Sequence, residues 1–553
     1  MNVVKKMSKQ KYETDVAIIG SGLAGALLSY QLVIQGINVI CLEAGAKINR
    51  LDTLQKFKSQ PERDFQTPYD NLPHAPRPTG KSKDPYVESV GKNDYNPSYV
   101  RGVGGTTWHW AGHAWRFLEE DFQEKSLYDV GYDMPLSYKE LEPYYQQAES
   151  MMGVSGVSDP LNFYGVHRKK PYPLPALPLS YLDLYIDDKI KNLGMRVKPA
   201  PSARNSKTFD NRPECCGSNN CMPICPIGAQ YSAMVHIEKA MKFKNMKLIS
   251  NAVVDKIVSE DQTKVDYIRF KDPSGQDHEV RAKHYILAAG GIEIPKLLLM
   301  SEIGNDNVGR NLMDHPLMFV SFMNKADVFP GRGPMVIGSI TDHQNGDFRS
   351  HRAGFRVNIK NFFNVQEITN KFITEGFTGQ TLRDKIDHYS RRIIGLEIFF
   401  GQLPDRNNRV SLSSSRKDIL GIPHPRVEYA VGPWTERSLK PAYEVCSSIA
   451  NACDIEKDSL SFENETADPK KRFHANNHFM GTTMMGNDPK NSVTDSLGRI
   501  YSRKTNEPMS NLFVTSSSLL AATGVSNVSL TIAALTLRLA DHLKKELVTG
   551  QPE

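Results

Sequence analysis

Two stretches of this chain hold residues whose types and spacing could do chemistry. The first is Cys215, Cys221 and Cys225, spaced C-x5-C-x3-C in a loop that also holds Cys216, Gly217, Pro223 and Pro226. Thiolates hold iron–sulfur clusters, and a short loop with glycine and proline lets several sulfurs converge on one centre. Zinc is a competing reading, but it prefers four ligands in paired spacings. A four-iron cluster would have to recruit Cys216, and a disulfide between the neighbours Cys215 and Cys216 would be strained. Spacing alone leaves these alternatives open.

The second stretch is Gly20-Ser21-Gly22-Leu23-Ala24-Gly25, with Glu43 placed 18 residues beyond the last glycine. Gly20 permits a tight turn, Gly22 lets backbone N–H groups reach a pyrophosphate, and Gly25 lets a helix pack close on a strand. A helix N-terminus then faces the phosphates with its partial positive charge. Glu43 stands where a carboxylate accepts hydrogen bonds from a ribose. This combination binds a dinucleotide.

The elements that must position these residues are legible nearby. Asp15–Ile19 predicts a strand, Ala24, Leu28 and Leu32 mark a helix closed at Gly36, and Ile37–Leu42 predicts a second strand ending at Glu43. Residues 51–94 are polar and punctuated by proline, and predict an extended excursion. Leu136–Gly153 has a helical pattern, Lys247–Ile257 and Val265–Lys271 alternate like a hairpin, and Tyr285–Ala289 reads as a buried strand leading into a helix. Near the end, Asn511–Thr515 predicts a strand, and Asn527 or Ser526 is placed to cap a last helix.

Composition narrows the class. With 553 residues, 39% hydrophobic and 24% charged, the chain suits a soluble globular protein of two or more domains. A net charge of +6, from 68 basic and 62 acidic residues, is too dilute to argue for nucleic acid. The most apolar helix, Ser529–Leu547, carries Arg538, Asp541, Lys544, Lys545 and Glu546, so no membrane span is expected. The N-terminal residues have no apolar run of the kind a signal peptide needs. Seven cysteines argue against a disulfide framework, and Cys41, Cys446 and Cys453 read as small core residues.

Several motifs, taken together, resemble the glucose–methanol–choline (GMC) oxidoreductases, a flavoprotein family. They are GSGLAG with Glu43, RGVGGTTWHW from Arg101, LAAGGIEIPKLLL, VGRNLMDHP, HFMGTTMMG from His478, NLFVTSSS and NVSLT from Asn527. The segment CCGSNNCMPICPIG narrows the resemblance to the FAD subunits of bacterial sugar dehydrogenases of the glucose and fructose type. Two departures stand out. Phe400-Gly401 precedes Leu403-Pro404 where those subunits have a His-Glu pair, and Val528 replaces a common proline.

The resemblance implies a GMC fold: an α/β Rossmann-like FAD domain interleaved with a substrate domain built from a sheet and helices. The expected FAD domain is drawn from residues 12–50, 95–130, 200–316 and 475–547, and the substrate domain from 131–199 and 317–474. His478 is then the expected general base, since removing a hydroxyl proton suits an imidazole that titrates near working pH. Asn527 is expected to donate to the substrate oxygen or the flavin. Gly104, Gly105, Thr106, Thr107, His109 and Thr531 are expected at the flavin, with covalent attachment to His109 left open. A three-iron, four-sulfur (3Fe-4S) cluster is implied on Cys215, Cys221 and Cys225.

The implied activity is oxidation of a sugar or polyol hydroxyl, with electrons leaving through the cluster to a multihaem cytochrome c subunit. Alternatives are an oxidase that reduces oxygen, a dehydrogenase of a sugar acid such as gluconate, and a non-catalytic dinucleotide-binding subunit. The implied location is the periplasmic side of the bacterial inner membrane. Cluster assembly needs free thiols, so folding would precede export on a small partner that carries the signal. Membrane attachment would come only through the cytochrome.

Overall fold

Val16–Ile19 are buried without interruption, and this apolar run sets the middle of the first sheet. The computed structural model describes residues 9–60, 68–78, 85–463 and 472–549. In it, strand β1 (Lys11–Ile19) leads through the glycine loop into helix α1 (Leu23–Val33) and then strand β2 (Val39–Leu42). β1 starts four residues before the expected Asp15. Its polar N-terminal half pairs in register with Glu279–Ala282 of the long strand β4 (Asp277–Leu287), so ladder bonds outweigh the weak pattern there. Parallel pairing continues on both sides, to β2 and β3 (Met246–Ile249) and to β8 (Pro508–Val514).

The glycines meet the demands read from the sequence. A Cβ on Gly25 would stand 1.9 Å from the carbonyl oxygen of Gly20, so no other residue lets α1 pack this close. Gly20 has φ +103°, and a Cβ there would meet the Ala288 backbone. Helix α2 (Gly290–Ser301) follows β4 and helix α3 (Ser529–Lys544) follows β8, as expected for a layered α/β sheet.

The second sheet is antiparallel. Strand β7 (Ile393–Phe400) pairs with β5 (Leu317–Met323) on one side and β6 (Phe355–Ile359) on the other. Period-2 alternation divides its two faces. Ile394, Leu396, Ile398 and Phe400 join Phe355 and Val357 in a second apolar core. Arg356, Glu397 and Phe399 therefore project from the opposite face.

One stretch is less extended than expected. Residues 51–94 open with a helix, Arg50–Ser59, because Asn49 caps it: its Oδ1 accepts from the N–H of Leu51 and Asp52. Residues 61–67 and 79–84 of that excursion, and 464–471 of the expected substrate domain, lie outside the described residues. Among the described residues no helix is long and apolar enough to cross a membrane.

Candidate active site

A cavity of about 560 Å³ runs between the two sheets, within the usual size range of ligand sites. One end is built from the glycine loop. Gly20, Gly22 and Glu43 line it, with Gly105, Thr106, Thr107 and His109 across from them. A Cβ on Gly22 would meet nothing within 4 Å, so this glycine leaves open space where a pyrophosphate has to come close to the backbone. Glu43 is tied to the same loop: its carboxylate accepts from the N–H and hydroxyl of Ser21 and from the N–H of Gly45. Helix α1 begins at this point with no acidic residue in its first turn, which suits an incoming phosphate. These residues fit a dinucleotide.

The other end holds three imidazoles. His478 Nδ1 lies 2.6 Å from His315 Nδ1, and His315 Nε2 lies 3.1 Å from the carbonyl oxygen of Thr523. A carbonyl only accepts, so His315 Nε2 bears the hydrogen. In a neutral ring its Nδ1 is then bare, and it accepts from His478 Nδ1–H. This leaves Nε2 of His478 without a hydrogen, an acceptor facing Asn527 Nδ2 at 3.4 Å. The third imidazole, His113, donates Nε2–H to the carbonyl of Val336, 2.7 Å away, and lines the same cavity.

The neutral forms are strongly favoured. Burial, followed by the electrostatic influence of His315, Arg356 and His113, holds His478 well below the ordinary histidine value. Burial and Arg356 bring His315 down to about 3. His113 is likewise held at about 3 by burial, Arg204 and Arg356.

Asp314 fixes the loop that carries His478. Its two oxygens accept from the backbone N–H groups of His315, Asn477 and His478 and from the Tyr95 hydroxyl. The residues on either side of His478 sit at positive φ, Asn477 at 66° and Phe479 at 41°. An aromatic residue rarely adopts that backbone, and such strain persists only where the surroundings enforce it. Asp314, His315 and His478 also form a compact trio of metal-capable groups. However, two nitrogens about 2.1 Å from one ion would stand about 3.4 Å apart. The observed 2.6 Å is a hydrogen bond.

Asn527 does not cap α3 as the sequence suggested. Val528 occupies the cap position and no side chain closes the helix start. The Asn527 amide instead turns to the site, where its Oδ1 accepts from Arg356 Nη2 at 2.7 Å. That bond decides the amide's orientation and presents Nδ2 to His478. Arg356 is fully buried, with its guanidinium 4.6 Å from the Trp115 ring centroid and 5.1 Å from that of Phe399. Its Nε and Nη1 have no partner among the described residues. Burial lowers its pKa to about 9 against the attraction of Glu397.

The other expected site residues divide. His109 is buried on the cavity wall, with its ring edge-on to Tyr69 at 5.7 Å. Thr106 and Thr107 line the wall, but Thr107 Oγ1 is engaged by the backbone of Gly104 and Ala233. Gly25 and Gly104 are not part of the wall. Neither is Thr531, whose hydroxyl pairs with Tyr145 OH at 2.9 Å because the first turn of α3 points it inward. His474 also lies off the cavity, near Glu463 at 3.9 Å.

All seven cysteines are free thiols, and Cys41, Cys446 and Cys453 are buried core residues as expected. Cys215, Cys216, Cys221 and Cys225 line one small pocket with Arg204 and Gln230. Zinc does not suit it. Sulfurs about 2.3 Å from one zinc would stand about 3.8 Å apart. Among the described residues no group of three or more cysteines has its sulfurs all within 4.8 Å of one another. Burial raises the Cys221 thiol, while Arg204 pulls it down. Arg204 Nη1 and Gln230 Oε1 are buried with no partner among the described residues. Met222, inside this segment, lines the main cavity, and Arg204 Nη2 donates to the carbonyl of Ala111 on the same wall. The two cavities are neighbours.

The family relationship is direct. Residues 188–317 and 404–536 match the GMC oxidoreductase family, and residues 13–52 match an FAD binding domain. The chain is 38% identical over 562 residues to the fructose dehydrogenase large subunit of Gluconobacter japonicus, covering 98% of this chain and 100% of that one. It is 23% identical to the gluconate 2-dehydrogenase flavoprotein of Pantoea cypripedii, covering 87% and 86%. The crystal structure of pyridoxine 4-oxidase from Mesorbium loti shares the fold, with a TM-score of 0.65 at 18% identity over 98% of this chain and 100% of that one. The chain belongs to the GMC oxidoreductases, FAD-dependent enzymes that act on CH–OH groups.

Proposed function

We propose that this chain oxidises a hydroxyl of a sugar or polyol, with His478 as general base and Asn527 as its partner at the substrate oxygen. The observation that carries this is the bare Nε2 of His478, held beside Asn527 in the cavity that also contains the dinucleotide loop. FAD, when bound, supplies the acceptor for the hydride that leaves the carbinol carbon. His478 Nε2 takes the hydroxyl proton, and the Asn527 amide donates to the oxygen as charge develops there. Gly20, Gly22, Glu43, Gly105, Thr106 and Thr107 would hold the cofactor, with Gly25 letting α1 pack close behind the loop and His109 placed on the wall either to pack against it or to bond to it.

The cysteine pocket is read as the seat of a three-iron, four-sulfur cluster on Cys215, Cys221 and Cys225. Three free thiols beside a buried guanidinium with an unmatched N–H suit an anionic sulfur centre, and the pocket adjoins the main cavity. The cluster would supply one-electron chemistry. A multihaem cytochrome c subunit is the proposed onward acceptor, with a small subunit carrying the export signal and the complex working on the periplasmic face of the inner membrane. The similarity to a fructose dehydrogenase large subunit supports this reading. The proposed domain division assigns the parallel sheet to FAD and the antiparallel sheet to substrate.

The test is a panel of sugars, polyols and sugar acids assayed with an artificial electron acceptor. Turnover of a neutral sugar or polyol is expected, and silence across the panel contradicts the reading.

A further inference from the structure

Glu397 is a carboxylate that neither the motifs nor the catalytic pair account for. It stands on the cavity face of β7 with Phe399, between residues committed to the second core. Among the described residues its oxygens meet no hydrogen-bond donor and no cation at ion-pair distance. Burial raises its pKa, and Lys360 and Arg356 oppose that only through space. Glu397 is half-buried with its oxygens open to the cavity, so a ligand that displaces water there has to donate to them in its place.

The other charged groups on the wall are already engaged. Glu43 is bound to the Ser21 loop. Glu293 accepts from Tyr86 and Tyr99, and Lys296 donates to Tyr86, next to Arg101. Burial is outweighed by Arg101 and Lys296, which bring Glu293 down to about 2. Arg356 is sealed behind Asn527, Trp115 and Phe399 and is not part of the wall. Among the described residues, the substrate side of the wall therefore presents one charge, and it is negative.

We infer, resting on the dehydrogenase reading above, that Glu397 accepts a hydrogen bond from a second hydroxyl of the substrate and thereby selects neutral polyhydroxy compounds over sugar acids. A hydroxyl donor satisfies the carboxylate that the protein leaves bare. The carboxylate of a sugar acid would face a like charge across a cavity of low polarity, where repulsion is weakly screened.

The test compares the wild-type holoenzyme with Glu397→Gln and Glu397→Leu, scoring variants that keep wild-type flavin content and melting temperature. Substrates are a neutral sugar or polyol, the matching sugar acid, and a simple alcohol with a single hydroxyl. For the polyol, KM is expected to rise about ten- to a hundredfold in Glu397→Leu with kcat little changed, as loss of a hydrogen bond to a charged group implies. For the single-hydroxyl alcohol, kcat/KM should not move, which a merely structural role would not spare. Discrimination against the sugar acid should weaken in both variants. Equal losses on polyol and simple alcohol, or wild-type preference for the sugar acid, overturn the inference and leave the dehydrogenase reading standing. A wild-type enzyme inactive on every alcohol overturns both.

Discussion

His315 Nδ1 and His478 Nδ1 face each other at 2.6 Å, and the Thr523 carbonyl at the far side of His315 decides which of them holds the hydrogen. The nitrogen proposed as the base is thus set by a carbonyl two hydrogen bonds away. Replacing His315 with Phe removes the acceptor for His478 Nδ1–H and leaves the tautomer free. The expected outcome is a loss in kcat of up to about ten-thousandfold, the full range of general-base assistance, with flavin content retained. Steady-state kinetics on flavin-matched samples would check this, and a kcat within a few fold of wild type would mean the tautomer is set elsewhere.

Arg356 acts on the other member of the pair. Arg356→Met removes the donor to Asn527 Oδ1 and a positive charge near His478. Both kcat and the pH profile should respond: kcat falls, and the acid limb of kcat/KM moves to higher pH because one charge that disfavours imidazolium is gone. Arg356→Lys keeps the charge, so the limb should stay while kcat still falls. A purely structural role would leave the limb unmoved in both variants.

The buried imidazoles give a signed pH dependence of stability. His113, His236 and His315 are each held at about 3, below the ordinary 6.5, chiefly by burial. Between those limits the unfolded chain binds more protons than the folded one, so stability is complete above pH 6.5 and declines as pH falls towards 3. Melting temperatures measured across that interval should drop steadily. His113→Phe should flatten part of the slope, and an unchanged slope would show that His113 is not kept neutral.

How much of this could be read from the chain alone depends on whether local spacing or tertiary pairing places each residue. The glycine loop and Glu43 are a local device, so their positions followed from Gly20, Gly22, Gly25 and the strands around them. His478 and Asn527 were legible only through motifs, and the N-cap reading of Asn527 failed because Arg356, 171 residues away, draws its amide into the site. Arg356 and Glu397 sit on neighbouring strands of an antiparallel sheet, and nothing local distinguishes them from surface charges. The one available signal was a lone charge inside each of two apolar strands, Phe355–Ile359 and Ile393–Phe400. His315 and Asp314 lie in the VGRNLMDHP motif, but nothing local gives them a role, because their partners come from a loop more than 160 residues downstream.

Cys221→Ser tests the pocket beside the cavity. Iron bound per flavin should fall, and electron delivery to the physiological acceptor should be lost while a small dye that reaches the flavin is still reduced. Unchanged iron content, or parallel loss in both assays, would contradict the assignment of the thiols.

The most direct measurement is anaerobic flavin bleaching in a single turnover, wild type against His478→Ala, with a neutral polyol substrate. Wild type should bleach on mixing. His478→Ala should keep its flavin and its oxidised spectrum but bleach about a hundred- to ten-thousandfold more slowly. Bleaching at the wild-type rate in the variant would show that His478 is not the base and that the central assignment is wrong.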